Sequence, residues 1–323
     1  MAVLVTGGAG FLGSHLVDAC VARGEHAIIV DNLSTGRLSN VERPLESGDA
    51  TFVYHDVASP AHKLAAAIAK AANEPITYVY HLTSSADPEG LALRPWDALA
   101  INGIGTMALI DFAAERGLPM LYASTSDIYG DPVVHPQPES YGGNVDPIGP
   151  RAGSEEGKRF GEAAMAIAMR ERGLDGRIVR LFNCYGPRME LGGAALIPAL
   201  LGAARNGTPL SIHGSGRQTR SLTYVEDIVE GILTVARWRC DGCRPVNLGS
   251  EEERSVEQIV STFVEATGVE VSVARGAARP GDPQRRRPVT DVARSLGWEP
   301  KTSLVEGLRR TYAWFVGEAL EYA

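Results

Sequence analysis

Short apolar runs alternate with longer amphipathic stretches along the first half of the chain. Residues 2–6 (AVLVT) are apolar almost throughout, which is typical of a strand buried on both faces of a sheet. Similar runs, each predicted to be a strand, follow at 26–30, 51–55, 76–82 and 120–123. Strands that alternate with helices form βα units, so the pattern predicts an α/β fold with a doubly wound parallel sheet. In such a sheet, ligands lie at the carboxyl ends of the strands.

The stretches between and after these runs have the spacing of amphipathic helices. Helices are predicted at about residues 11–23, 62–72, 95–117 and 153–172. The last of these helices is followed by a further strand at 177–182. The first half of the chain therefore supplies at least six strands to one sheet.

A glycine-rich turn joins the first predicted strand to the first predicted helix. Gly7, Gly10 and Gly13 are spaced G-x-x-G-x-x-G. The first glycine permits a tight turn, the second lets the backbone approach a pyrophosphate, and the third lets the helix pack closely on the strand. Asp31 ends the second strand, where a carboxylate binds the ribose hydroxyls of NAD and repels the extra phosphate of NADP. The sequence therefore predicts an NAD site.

The alternation loosens beyond residue 183. A helix is expected at about 194–206, a short strand at 209–213, a helix from Glu226, a strand at 246–249 and further helices over 255–323. Two domains are predicted. The NAD-binding Rossmann domain comprises residues 1–182 plus about 221–249, and the smaller C-terminal substrate-binding domain comprises about 183–220 plus 250–323.

Composition and charge narrow the possible partners. Of the 323 residues, 44% are hydrophobic and 22% charged, and the net charge of −8 makes a nucleic-acid partner unexpected. Cys240 and Cys243 form a C-x-x-C without a second ligand pair, so a surface turn and no metal site are expected. Met1 leads directly into a strand, and no apolar run approaches the ~20 residues of a membrane span. We therefore expect no signal peptide, no membrane partner and a cytoplasmic enzyme.

Polar side chains that could carry chemistry follow the strand at 120–123. Residues 124–127 (STSD) place hydroxyls and a carboxylate at the carboxyl end of that strand, where they could hold a substrate alcohol. Lys158 lies on a later predicted helix. Arg217 and Arg220 lie in a glycine-rich loop, and the planar fork of arginine suits a diphosphate.

These motifs resemble those of the extended short-chain dehydrogenase/reductase family, the NAD-dependent epimerases and dehydratases. Within that family they are most similar to the UDP-glucuronate decarboxylases, also called UDP-xylose synthases. The resemblance covers nearly the whole chain, and the loop at 135–137 (HPQ) is more typical of the decarboxylases than of the 4-epimerases. The most specific segments are 31–36 (DNLSTG), 124–132 (STSDIYGDP), 144–151 (NVDPIGPR), 214–220 (GSGRQTR) and 297–300 (GWEP).

The resemblance implies a reaction through a transient 4-keto sugar. NAD removes hydride from C4 of a UDP-linked sugar while a base takes the hydroxyl proton, the neighbouring carboxylate leaves as CO2, and the hydride then returns. In the family the base is a tyrosinate, whose pKa is lowered by a lysine four residues later and by the nicotinamide charge. The resemblance also implies a homodimer formed through the helices at 95–117 and 153–172.

The resemblance assigns roles to individual residues. Thr125 matches a hydroxyl that binds the reacting oxygen, and Lys158 matches the lysine that holds the nicotinamide ribose. Ser126 and Asp127 match a Ser–Glu pair that assists decarboxylation, and Arg286 matches an arginine that faces the sugar carboxylate. The predicted cofactor-binding residues are Gly7, Gly10, Phe11, Leu12, Gly13, Asp31, Asn32, Asp56, Val57, Leu82, Thr83, Asn102 and Lys158. The predicted substrate-binding residues are Asn183, Arg188, Arg217, Arg220, Arg279, Asp282 and Arg286.

Three residues depart from the family pattern, and all belong to the expected sugar site. Ser154 stands where the family has its tyrosine, Asp127 replaces a glutamate one methylene longer, and Gly142 stands where the decarboxylases tend to carry a tryptophan. A serine hydroxyl is a far weaker acid than a phenol of pKa ~10 and is several ångströms shorter. The general base, whose help is worth ~10²–10⁴ in rate, is therefore unassigned.

The sequence leaves both the base and the outcome open. A water held by Ser154, or Tyr141 or Asp127 turned inward, could take the proton. Glu155 and Glu156 are expected as charges of the first helical turn, with Glu155 a weaker candidate for the altered site. The leading hypothesis is an NAD-dependent UDP-glucuronate decarboxylase with an atypical base. The alternatives are a nucleotide-sugar 4-epimerase or dehydratase, and a relative that binds NAD and nucleotide sugar with little or no turnover.

Overall fold

The computed structural model describes residues 1–84, 95–190, 195–239, 242–277 and 284–317. Within these ranges the chain forms one seven-stranded sheet and three two-stranded sheets. Two predicted substrate-binding residues, Arg279 and Asp282, lie outside the described residues, and so does Cys240.

The strands are β1 Ala2–Thr6, β2 His26–Asp31, β3 Ala50–Tyr54, β4 Ile76–His81, β5 Met120–Thr125, β6 Gly176–Leu181, β7 Cys184–Tyr185, β8 Leu210–His213, β9 Thr219–Ser221, β10 Thr223–Tyr224, β11 Pro245–Leu248, β12 Glu253–Ser255 and β13 Val273–Gly276.

The seven-stranded sheet is parallel throughout and has the order β11–β6–β5–β4–β1–β2–β3. The chain runs outward from β1 to β3 and then resumes on the other side of β1 with β4. This reversal is the topological switch point at which doubly wound sheets bind ligands. The predicted α/β class and parallel sheet are therefore confirmed.

The helices lie close to their predicted positions, with one interruption. The helix expected at 95–117 contains a π-helical segment, Ile101–Gly105, that carries Asn102. Such segments are frequent at functional sites. Short 3-10 helices span Leu38–Val41 and Ser126–Tyr129. The α-helices are Phe11–Val21, Glu42–Glu46, Ala61–Ala71, Pro95–Ala100, Thr106–Glu115, Ala152–Arg172, Leu196–Asn206, Val225–Arg237, Val256–Thr267, Asp291–Ser295 and Leu304–Val316.

Hydrophobic side chains form a core on each face of the large sheet. Because successive residues of a strand point to opposite faces, Val5 belongs to one core and Leu4 to the other. A third core, which includes Leu200, Phe263 and Leu308, is built from residues beyond 183. The division into two domains stays a prediction, because this core also includes Tyr224 and Val225 from the segment assigned to the Rossmann domain.

One helical stretch has the length and composition of a membrane span. Pro95–Glu115 has 21 residues and a mean hydropathy of 1.3 over its most apolar window, so the expectation that no apolar run approaches this length was wrong. Half of that window is buried inside the protein, and the side chains of Asn102 and Thr106 are fully buried. Helices packed in a protein core share these properties, so they do not assign this stretch to a membrane.

Candidate active site

The glycine turn of residues 7–13 has close contacts that only glycine allows. Gly7 has a φ of +72°, and a Cβ added there would lie 3.0 Å from the backbone N of Thr83. A Cβ on Gly13 would lie 2.0 Å from the carbonyl oxygen of Gly7. The helix Phe11–Val21 begins directly after Gly10, without a side-chain cap or an acidic residue in its first turn. Its first amides are therefore available to an anionic group.

Asp31 connects the end of β2 to the glycine turn. One carboxylate oxygen accepts a hydrogen bond from the backbone N of Ala9 at 3.0 Å, and the other accepts from the backbone N of Leu33 at 2.8 Å. Burial raises the pKa of Asp31, although these backbone hydrogen bonds oppose the shift. Each oxygen retains a free lone pair, so the carboxylate is held in place and can still accept from ribose hydroxyls.

Two further predicted cofactor residues lie beside Asp31. Asn32 donates from Nδ2 to a carboxylate oxygen of Asp56 at 3.0 Å, and the other oxygen of Asp56 accepts from the backbone N of Ala58 at 2.8 Å. The next residue, Val57, is buried in the core under the sheet. The carboxyl ends of β2 and β3 are therefore fixed to each other by polar contacts.

Two buried polar side chains in this region have no partner among the described residues. They are the Thr83 hydroxyl and the Asn102 amide, which is unpaired at both its oxygen and its nitrogen. Thr83 adjoins Gly7, and the Asn102 side chain lies 3.0 Å from a Cβ added to Gly157. Because buried polar groups are normally hydrogen-bonded, these side chains fit a polar ligand lying between the glycine turn and the helix Ala152–Arg172. They fit the NAD that the glycine turn and Asp31 predict.

Lys158 is buried against β5 and is 3% exposed. Its Nζ donates to the carbonyl oxygen of Ala123 at 2.7 Å and lies 4.8 Å from the centre of the Tyr122 ring. Burial lowers the pKa of Lys158 from 10.5 to about 7. The amine is therefore divided between its charged and neutral forms near pH 7.

His81 lies at the carboxyl end of β4 and is fully buried. Its ring nitrogens hydrogen-bond the hydroxyls of Thr6 at 2.7 Å and Thr106 at 3.0 Å. Burial, and secondarily the charge of Lys158, lower the pKa of His81 to about 3. The ring is therefore neutral and adds no positive charge beside Lys158.

Ser154 lies one helical turn before Lys158, so the two side chains share one face of the helix Ala152–Arg172. Ser154 is 8% exposed. Among the described residues, its hydroxyl makes no hydrogen bond. The structure thus brings together two of the predicted catalytic residues and leaves the Ser154 hydroxyl available.

The carboxylate of Asp127 lies between two arginines. Arg286 donates from Nη1 to Asp127, and Nη2 of Arg151 lies 2.9 Å from the same carboxylate oxygen. The Thr125 hydroxyl accepts from the backbone N of Asp127 at 3.2 Å and caps the 3-10 turn that carries Ser126. Burial alone would raise the pKa of Asp127, but the two guanidinium groups outweigh it and hold the pKa below its usual value. Asp127 is therefore a firmly ionised carboxylate.

The Arg286 side chain is only 7% exposed, and most of its hydrogen-bond donors have no partner among the described residues. Its Nε and Nη2 have no hydrogen-bond partner among the described residues. An unpaired guanidinium edge in a buried site suits a planar anion such as a carboxylate, which can accept two parallel hydrogen bonds.

The other candidate residues near Ser154 are engaged elsewhere. Glu155 lies in the first helical turn as expected, but it is buried and accepts from Nε of Arg151 at 2.9 Å. Glu156 pairs with Arg159. The hydroxyl of Tyr141 accepts from a backbone N at 3.2 Å, and its ring stacks on that of Tyr129 with centroids 5.9 Å apart.

Gly142 occupies open space. A Cβ added there would meet no atom within 4 Å. Gly142 also lines a cavity of about 340 Å³ together with Arg159 and Glu162. The backbone at this position therefore has room for a larger side chain.

The remaining predicted substrate residues do not join the Asp127 group. Arg188 pairs with Asp18 of the first helix at 2.7 Å. Arg217 is exposed, and Arg220 donates to the carbonyl oxygen of Thr219 at 2.8 Å. Asn183 is partly buried, and its carbonyl oxygen accepts from the backbone N of Thr223.

Two residues of the site were not predicted. Arg151 links Asp127 to Glu155, and its only sequence signal was its place at the end of the motif at 144–151. His81, under Lys158, could have been suspected only as a polar residue that ends an apolar strand. The roles of Arg151 and His81 can be recognised only from their contacts with segments that are far apart in the sequence.

Comparisons with known proteins identify a family to which the sequence and the fold are similar. The profile of the NAD dependent epimerase/dehydratase family matches residues 3–249. The chain is 38% identical to UDP-glucuronic acid decarboxylase 1 of Xenopus tropicalis, over 97% of this chain and 72% of that protein.

Two solved structures share the fold over nearly their whole length. UDP-glucose 4-epimerase of Thermotoga maritima, solved with UDP-glucose, gives a TM-score of 0.88 at 31% identity, covering 98% of this chain and 99% of that one. UDP-glucose 4-epimerase of Thermus thermophilus, solved with NAD, gives 0.87 at 27% identity, covering 99% and 100%.

Proposed function

The chain belongs to the NAD-dependent epimerase/dehydratase family, and on that premise we propose that it is an NAD-dependent nucleotide-sugar enzyme that decarboxylates UDP-glucuronate. The state of Arg286 is the observation that favours a uronic acid as the substrate. Its buried guanidinium presents two unpaired nitrogens beside Asp127, at the carboxyl end of β5. A cation with unused donors at this place favours a substrate that brings its own carboxylate. Similarity to UDP-glucuronic acid decarboxylases supports the same choice.

The cofactor would be held by residues already described. The amides of the glycine turn would bind its phosphates, Asp31 would bind a ribose, and Thr83 and Asn102 would supply polar groups that have no partner among the described residues. Bound NAD supplies hydride transfer, accepting the hydrogen of the sugar C4 and later returning it.

The protein's own side chains orient the sugar and manage its charge. The Thr125 hydroxyl accepts from a backbone amide, so its own hydrogen is free to bind the C4 oxygen of the sugar. Arg286 is positioned by Asp127 and would bind the carboxylate until it leaves as CO2. Because Asp127 stays ionised between two arginines, it serves to hold Arg286 in place and makes a poor proton donor.

The test is to incubate the purified protein with NAD and UDP-glucuronate and to identify the products by mass spectrometry. Release of CO2 with a UDP-pentose is the expected outcome. Arg286→Met should weaken binding of UDP-glucuronate by roughly 10–100-fold, since a charge-assisted hydrogen-bonded pair is worth about 1.5–3 kcal/mol. Binding of UDP-glucose, which has no carboxylate, should change little.

Other products would point to the alternatives. A C4 epimer that keeps all six sugar carbons would replace the decarboxylase with an epimerase. Binding of the nucleotide sugar without any product would indicate a relative that only binds.

We also propose that the protein is a homodimer. Apolar side chains are exposed along Pro95–Glu115 and along the helix Ala152–Arg172, including Ile104 at 59%, Phe160 at 47% and Ile167 at 51%. These side chains favour helix packing against a second copy of the same face. Light scattering should give a dimer mass for the natural protein and a monomer mass for Phe160→Glu. A monomeric natural protein would refute the proposal.

A further inference from the structure

We propose that the amine of Lys158 accepts the proton of the sugar hydroxyl, and that a water held by Ser154 passes the proton to it. The inference rests on the proposed function and deepens it by naming the base. In relatives that have a tyrosine at position 154, the phenol would have this task.

Three other groups that could take the proton are already engaged. Asp127 is held ionised by Arg286 and Arg151, which makes it a weak base. Glu155 accepts from Arg151, and burial raises its pKa, while the charge of Arg151 opposes that shift. The Tyr141 hydroxyl accepts from a backbone amide, and its ring stacks on a neighbouring ring. Each would have to break these contacts to reach the sugar.

Lys158 differs from these groups because no carboxylate pairs with it among the described residues. The charge of Glu162, on the same helix, favours the protonated amine, but burial outweighs it and lowers the pKa of Lys158. Glu162 is already bound by Arg180 at 2.7 Å and by the Ser124 hydroxyl at 2.6 Å. A buried lysine without a counter-ion is destabilised as an ammonium ion, so its neutral form becomes accessible.

The groups that face Lys158 from the sheet carry no negative charge. His81 from β4 is neutral because burial depresses its pKa to about 3. Tyr122 from β5 is neutral because burial raises its pKa above the usual value. Neither side chain would hold Lys158 in its charged form, and burial brings the pKa of Lys158 to about 7.

Ser154 is placed to connect this amine to the sugar. It lies one turn before Lys158 on the same helix face, and its hydroxyl has no partner among the described residues. A serine is too short to reach where a phenol oxygen would stand, but its hydroxyl can both donate to and accept from a water in that space. Such water bridges are nearly as favourable as direct hydrogen bonds.

The step is balanced with NAD as the oxidant. The O–H bond at C4 breaks, its proton passes to the water, and the water gives a proton to Nζ of Lys158, forming an N–H bond. The C4–H bond breaks at the same time, and its electron pair leaves with the hydrogen as hydride to NAD. When the hydride returns, the ammonium gives the proton back along the same path.

The first test reads the protonation of Lys158 directly. The chain has only four lysines, and the other three, Lys63, Lys70 and Lys301, are exposed. In the NAD-loaded protein labelled with ¹³Cε-lysine, the resonance lost in Lys158→Arg identifies Lys158. That resonance should titrate near pH 7, far below the ~10.4 of a free lysine amine. Titration of Lys158 together with the exposed lysines would overturn the proposal.

The second test links that titration to turnover. Product formation should rise with pH through the midpoint measured for Lys158, because only the neutral amine accepts a proton. Ser154→Ala should lower turnover by about 10–100-fold while the Lys158 midpoint stays near pH 7, and Ser154→Thr should retain most activity because it keeps the hydroxyl. Lys301→Arg is the matched control and should change neither.

The remaining outcomes separate this proposal from the proposed function. A turnover rate that does not change between pH 6 and 8 would overturn the proton route, and so would a Ser154→Ala variant with the natural turnover rate. Neither result would contradict the proposed decarboxylase activity. A natural protein that forms no product from UDP-glucuronate would overturn the proposed function, and the proton route with it. The NMR midpoint is readable in either case, so the two failures are distinguishable.

Discussion

The two sides of the site are built from different parts of the polypeptide. On the cofactor side, the glycine turn and Asp31 depend on backbone: two glycines leave no room for a Cβ, and the carboxylate is held by two main-chain amides. On the sugar side, side chains hold one another, as Arg286 and Arg151 do through Asp127. The glycine turn depends on the absence of side chains at a few positions, whereas the sugar side can change its chemistry when one side chain is replaced, as Ser154 illustrates.

The largest expected effect comes from adding one methyl group to the cofactor side. In Gly13→Ala the new Cβ would lie 2.0 Å from the carbonyl oxygen of Gly7, so the helix Phe11–Val21 must move away from the turn. We expect NAD affinity to fall more than 100-fold, because displacement removes several phosphate contacts of ~1–3 kcal/mol each. Calorimetric titration with NAD would measure the loss.

Gly142→Ala is the matched control on the other side. Its Cβ would meet nothing within 4 Å, so NAD affinity and the unfolding midpoint should stay at their natural values. Equal losses in the two variants would break the comparison between a backbone site and a side-chain site.

A smaller change in ligand affinity should distinguish the roles of the Asp31 and Asp127 carboxylates. Asp31→Asn keeps the shape but replaces one acceptor oxygen with a donor, which would face a main-chain amide. NAD affinity should fall about 10-fold, in line with the ~1–3 kcal/mol of an unsatisfied buried group. Affinity for UDP-glucuronate, measured by the same titration, should not change. Asp127→Asn should show the reverse pattern, since Asp127 positions Arg286 and contacts no residue of the glycine turn.

The cofactor side was readable from sequence because its determinants are local. The spacing of Gly7, Gly10 and Gly13 and the carboxylate at the end of β2 lie within one βα unit and its next strand. The parallel sheet followed from the alternation of strands and helices, and the bounds of the main helices agreed within a few residues. The π-helical segment Ile101–Gly105 was not predicted, because the apolar pattern of the 95–117 helix runs through it and the segment contains no proline.

The sugar side was predicted only in part, because its contacts join distant segments. Asp127, Arg151 and Arg286 meet through a fold that brings together the end of β5, the start of a helix and a late loop. Family resemblance named Asp127 and Arg286, but no periodicity shows that an arginine at 151 lies between two carboxylates. Likewise, the low pKa of Lys158 depends on burial under packing that a sequence does not display.

The two sides should also differ in how their contributions to stability respond to acid. His15, on the helix of the glycine turn, donates to the carbonyl oxygen of Pro187 at 3.1 Å when Nε2 carries the proton. Burial, and secondarily Arg188, lower its pKa from 6.5 to about 4. Between these values the unfolded chain binds more protons than the native protein, so native stability falls as the pH drops from 6.5 towards 4. Asp127 acts in the same sense but at lower pH, because its pKa is held below the usual carboxyl value and its contribution is lost only as the pH falls through that range.

Urea unfolding at pH 7, 5.5 and 4.5 would separate the two contributions. His15→Gln keeps a donor towards Pro187 but has no titrating ring, so its loss of unfolding free energy on acidification should be smaller than that of the natural protein by about 1–3 kcal/mol. His62→Gln, at an exposed position, is the control and should follow the natural protein. If His15→Gln lost stability as steeply as the control, the acid sensitivity would have to come from another group. The contribution of His15 to the unfolding free energy would then be no more sensitive to mild acid than that of Asp127 on the sugar side.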